Sequence, residues 1–191
     1  MTDTIIPAFG ISRVPTRSNG DGSYTPRIEA VGVSAVATAT FTRPADTTAY
    51  TAGDLIANST AAGSVVPLAL PVARVAGGTG IIRAIRLKAS GAGAAGATVR
   101  VHLYRQSPTV TNGDNGIWLT TESEYVGSVD VTLDRTFSDA VKGTVGPGAG
   151  ADFVFTTAAA DMNLYALLEA RSAFTPVSGS AWTLSVAVMQ D

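Results

Sequence analysis

His102 is the only histidine among 191 residues, so any imidazole chemistry in this chain must pass through it. It lies in Val99–Tyr104, where aliphatics alternate with Arg100, His102 and Tyr104, a period of two that assigns these three to one face of a strand. A Ser-His-Asp site needs the imidazole between a nucleophile and a carboxylate, and no nucleophile-elbow motif accompanies it. One histidine also falls short of the imidazoles in the usual catalytic zinc sites. His102 therefore reads as an ordinary surface or interface histidine. The carboxylates Glu122, Glu124, Asp130 and Asp134 are neighbours in sequence and raise glycoside hydrolysis as an option. Asp130 and Asp134 share the wet face of one strand about 13 Å apart at the rise of an extended chain. Glycosidase carboxylates stand roughly 5–9.5 Å apart, so this pair reads as solvated strand positions.

The glycine clusters Gly77–Gly80, Gly91–Gly96 and Gly146–Gly150 pose the question of phosphate binding. None ends in Gly-Lys-Ser/Thr and none leads from a strand into a helix, so they read as connectors. The runs Asn19–Gly22 and Asn112–Gly116 superficially resemble calcium loops but lack the closing bidentate glutamate of the EF-hand. Asn-Gly and Asp-Gly steps tolerate positive φ, and both runs read as turn tips. Trp118, just after the second run, suits either an interface anchor or packing beneath its own loop. No catalytic, cofactor or metal residue emerges, and the expectation is a protein that is not an enzyme.

Composition points the same way. Charged residues make up 15% of the chain and hydrophobic ones 46%, with 20 glycines and 9 prolines, an apolar and turn-rich mixture that favours an all-β domain. So little charge suggests that partners cover much of the surface. The net charge of −2 gives no electrostatic case for nucleic acid. With no cysteine there are no disulfides and no thiolate sites. No apolar run approaches the roughly 20 residues that span a bilayer, and Met1–Ile6 does not have the pattern of a signal peptide.

The elements that position these residues are strands. Period-two alternation runs through Ala35–Phe41, Ile85–Ala89, Val99–Tyr104, Ser128–Asp134 and Trp182–Val188, with less regular strands expected at 54–58, 65–70 and 152–156. Asn163–Arg171 is rich in helix formers. It is nevertheless read as a strand that, through the turn Phe174–Ser180, forms a C-terminal hairpin with the last strand. About eight strands with long connections predict an antiparallel jelly-roll-like β-sandwich over 33–191. Residues 1–32 carry Pro7, Pro15 and Pro26 between scattered arginines and break every periodic run. They predict an extended N-terminal arm.

The block Phe41–Ile56, FTRPADTTAYTAGDLI, combines a strand exit at Arg43-Pro44, a turn at Asp46–Thr48, a loop anchor in Tyr50 and a strand restart after Gly53-Asp54. It resembles a segment that recurs in structural proteins of tailed bacteriophages, most like capsid decoration (cement) proteins, and the C-terminal region is compatible with that family. The resemblance implies a protein of the outer capsid surface of the virion, made in the host cytoplasm. Its implied partners are the major capsid protein and further copies of itself, a homotrimer in preference to a dimer. Arg13, Arg17, Arg27 and Trp118 are the expected capsid or subunit contacts, with no nucleic acid and no membrane as partner. A receptor- or glycan-binding module of a head or tail fibre is the alternative from a different functional class.

Overall fold

The computed structural model describes residues 33–191 throughout; from residues 1–32 it describes the backbone of four short strands. These are β1 (Ile6–Ala8), β2 (Ile11–Val14), β3 (Thr16–Ser18) and β4 (Tyr24–Pro26), with β1 paired to β2 and β3 to β4, both antiparallel. The chain divides into two units at Gly32/Val33. The expectation of an extended arm falls on residues whose structure is otherwise outside the described part.

The second unit is a sandwich of two antiparallel sheets. The first sheet runs β10 (Tyr125–Thr132), β9 (Thr98–Tyr104), β14 (Asn163–Ala170), and on the far edge of β14 lie β6 (Leu55–Ile56) and β7 (Leu68–Pro71) end to end. The second runs β11 (Arg135–Thr136), β12 (Ala140–Val145), β8 (Thr79–Ser90), β15 (Ala181–Gln190), β5 (Val33–Thr42), with β13 (Phe153–Thr156) beside β12 on the edge of β8. Along the sequence the chain crosses repeatedly between the sheets; β9–β10 is the hairpin that stays within the first.

Alternation in the sequence becomes burial in the fold. Trp182, Leu184, Val186 and Val188 of β15 and Ile85, Leu87 and Ala89 of β8 meet Val99, Val101, Leu103, Val131, Leu164 and Leu168 of the facing sheet in one core. Each Val, Leu and Ile among them contributes about 1.5–3 kcal/mol by leaving water. β14 is a strand, as read from the sequence, despite its helix-forming composition.

The C-terminal hairpin is not formed. β14 is apolar on both faces, with Leu164, Ala166 and Leu168 in the main core and Leu167 in a second apolar cluster. A strand buried on both sides belongs inside a sheet, so β14 sits between β9 and β6/β7 and has no edge left for β15. Residues 171–180 instead carry the chain across to the other sheet, where β15 lies between β5 and β8.

Candidate interaction surface

The Phe41–Ile56 block bridges the two sheets. β5 ends at Thr42, the Arg43 amide donates to Ser180 O at 3.0 Å, and Pro44 stops the ladder. Asp46 Oδ1 accepts the Thr48 amide at 3.0 Å, closing the expected turn. At Gly53 the backbone takes a φ of +100°, which a side chain would strain, and the chain enters the first sheet at β6.

Inside the block lies a buried polar cluster that no sequence motif announces. Asp114 Oδ2 accepts from the Arg43 guanidinium at 2.8 Å, while Oδ1 accepts from the Tyr50 hydroxyl at 2.6 Å and the Ala57 amide at 2.7 Å. Arg43 Nε donates in turn to the Tyr50 hydroxyl. The Arg43 and Asp114 side chains are 0% and 1% exposed, and Tyr50 is fully buried beneath Phe174, with ring centroids 4.9 Å apart. Burial and the bond to Asp114 push the Tyr50 phenol above its usual range. For Arg43, burial alone would oppose the charge, but Tyr50 and Asp114 outweigh it and the guanidinium is held above its ordinary value. The Asn112–Gly116 run makes the turn expected of it, with Asn115 at a φ of +63° and Gly116 N bonded to Gly113 O at 3.1 Å, and burial of Asp114 makes that turn a clasp. Gly113 is required there, since an added Cβ would stand 1.9 Å from Thr60 O.

This clasp ties down the segment 105–124, which returns over the outer face of the first sheet. Leu55 N donates to Gly116 O and Trp118 N to Gly53 O, both at 2.7 Å, so residues 116–118 cover the edge of β6. Beneath the segment, Leu55, Ala57, Tyr104, Val110 and Leu167 form the second apolar cluster, with Trp118 packed against it. Trp118 stacks on His102 with centroids 3.9 Å apart and planes 12° from parallel. Of its two expected roles, packing beneath its own loop is the one the described residues display.

His102 keeps the company of Arg100 and Tyr104 on its strand face, but it is 3% exposed, not a surface residue. Its Nε2 lies 2.8 Å from Glu169 Oε2, its Nδ1 is 3.3 Å from the Tyr125 hydroxyl, and Arg171 donates to Glu169 Oε1 at 2.8 Å. Burial pushes the imidazole below its ordinary range against the pull of Glu169, so it is neutral near pH 7 and donates Nε2–H to the carboxylate. The pair is a hydrogen-bonded support for the Trp118 stack. Asp130 receives two bonds from Arg100, at 2.7 and 2.9 Å, which hold its carboxyl below the usual range. Glu124 pairs with Arg105, and Asp134, just past the end of β10, pairs with Arg135 at 3.0 Å.

No segment among residues 33–191 covers the outer face of the second sheet. Cross-strand register lines up Val36 with Ala187 and Ala84, then Thr38 with Ser185, Arg86 and Thr144, then Thr40 with Thr183, Lys88 and Lys142. At one end Met189, Ile81 and Val154 stand in a row, Val154 76% exposed. At the other, Lys88 is directly opposite Lys142, and Lys142 opposite Arg135. Like charges in register destabilise a sheet. Among the described residues no carboxylate lies within salt-bridge distance of Arg86, Lys88 or Lys142. No basic stripe is legible in the sequence because these cations come from separate strands. Of the expected contact residues, Arg13 and Arg17 fall on β2 and β3, whose side chains are outside the described part, and Arg27 is outside it altogether.

Among the described residues no group of three or more His, Cys, Asp or Glu could hold a metal ion, and no helix is long and apolar enough to cross a membrane. No protein-family model matches the chain, and no curated protein matches it either.

Proposed function

We propose that the protein is a decoration (cement) protein of a tailed-bacteriophage capsid, held to the outer head surface through the open face of its second sheet. The observation that carries this reading is that face: a broad row of Thr, Ser, Ala and Val side chains, apolar at one end and cationic at the other, with Lys88 and Lys142 at facing positions of neighbouring strands. A partner with an acidic, partly apolar surface pairs with those cations and covers Val36, Ile81, Val154 and Met189, and the capsid protein is the partner the block resemblance implies. The location of the Phe41–Ile56 block supports the resemblance as an architectural one, since Arg43 and Tyr50 serve the joint between the sheets. Strand order supports reading the sandwich as a jelly roll: β5, β15, β8 and β12/β13 on one side, β6/β7, β14, β9 and β10 on the other.

Mechanically, such a protein adds apolar burial and polar contacts across a seam between capsomers, and self-association, as trimer or dimer, makes the attachment multivalent. Particles lacking the protein should lose their contents at lower temperature while still adsorbing to host cells. Unchanged head stability with lost adsorption would replace this reading with the fibre module. Lys88→Glu combined with Lys142→Glu should release the protein from otherwise intact heads at moderate salt.

A further inference from the structure

We propose that β5 is a self-association edge, along which two copies pair antiparallel about a two-fold axis centred on Thr38, joining their second sheets into one. The inference does not rest on the phage reading. β5 is ten residues long and pairs only with β15 among the described residues. From Val33 to Thr42 it has no charge and no proline. Sheet edges left long and uncharged are templates for another strand, and proteins ordinarily blunt them.

The other edges are short, covered or blunted, β13 being uncharged but only four residues long. β6 is covered by residues 116–118. β7 lies between Pro67 and Pro71, which is its last residue. β11 has two residues, one of them Arg135. β10 has an irregular register between Tyr125 and Gly127 and closes against β12, where a Cβ on Gly143 would stand 2.2 Å from Thr132 O.

Register fixes which groups are free. The Arg43 amide bonds to Ser180 O, so by alternation the odd-numbered residues of β5 bond to β15. Ser34, Val36, Thr38, Thr40 and Thr42 therefore turn their amides and carbonyls to the open edge. A two-fold centred on Thr38 sets Ser34 against Thr42, Val36 against Thr40 and Thr38 against its own copy, forming about ten hydrogen bonds.

The same register is self-complementary in size and charge. On the inner face it opposes Ala35 to Phe41 and Ala37 to Ala39, so the partly buried Phe41 ring of each copy meets a small residue of the other. No charged pair is brought face to face. A groove of about 480 Å³ lies beside the Ala39–Thr42 end of the edge, lined also by Asn58, Val66 and Leu68. Val66, 67% exposed, stands at its rim.

The test is the oligomeric state of the full chain in solution, by sedimentation equilibrium. The wild type should be a dimer. Thr38→Lys sets two like charges against each other, and Thr38→Pro removes an edge amide but no main-chain bond to β15; both give up the exposed Thr38 Oγ1–Ser185 Oγ bond of 2.9 Å. Each should weaken dimerisation about tenfold or more while leaving circular dichroism and melting cooperativity unchanged. Thr136→Lys on β11 should leave the dimer intact. Because the chain has no cysteine, Thr38→Cys should yield a disulfide dimer on oxidation and Ser34→Cys should not. A monomeric wild type, which includes β5 being covered by residues 1–32 of its own chain, overturns the proposal. So does an oligomer that survives both Thr38 substitutions, including a trimer.

Discussion

The outer faces of the two sheets solve the same problem in opposite ways. On the first, segment 105–124 folds back to bury Tyr104 and His102, and each arginine has a carboxylate: Arg100 with Asp130, Arg105 with Glu124, Arg171 with Glu169. On the second, the central rows are mostly short and neutral; Arg83 pairs with Asp152 at 3.2 Å and Arg135 with Asp134 at 3.0 Å, but Arg86, Lys88 and Lys142 have no such partner among the described residues. A face that satisfies its own charges and covers its own apolar area has no need of a partner. Under the proposed function, the face that leaves like charges in register is the one on which a partner would be stabilising, so internal satisfaction is what distinguishes the two faces.

The sharpest way to break the contrast is to release the cover. Asp114→Ala strands the buried Arg43 charge, the Tyr50 hydroxyl and the Ala57 amide together, and should cost about 3–5 kcal/mol in urea unfolding, the largest effect of any surface-loop substitution. Leu55→Ala opens the cluster beneath the cover and should cost about 2–5 kcal/mol by the same measurement.

A smaller effect comes from His102. Its folded-state value lies below the ordinary 6.5, so the unfolded chain binds the proton first as pH falls. Its contribution is fully present above about pH 6.5 and is lost as pH drops from there through the folded value. The slope is at most about 1.4 kcal/mol per pH unit, and His102→Gln should remove it from a plot of unfolding free energy against pH. The least effect on stability, and of opposite sign, is expected on the open face. Lys88→Glu replaces a repulsion with Lys142 by an attraction and should raise stability by about 0.2–1 kcal/mol in the isolated protein. A loss of stability there would mean that the cations are already satisfied, and the contrast between the faces would fall.

The sequence alone determined the all-β class, the inward and outward faces of β5, β8, β9, β10 and β15, and the strand exit, turn and strand entry of Phe41–Ile56. These are local: period-two alternation and the stereochemistry of proline, glycine and aspartate act within a few residues. Tertiary structure alone decided the rest. Arg43 meets Asp114 across 71 residues and His102 meets Glu169 across 67, so neither pairing leaves a trace in spacing. Asp114 looked like a turn residue because Asn-Gly-Asp-Asn-Gly is turn chemistry; only the approach of Arg43 and Tyr50 makes it a buried counter-ion. β14 was legible as a strand, but its partner was not, because which strands become neighbours depends on which faces must be covered. The same holds for the open edge of β5 and the cationic row, which exist only once strands distant in sequence lie side by side.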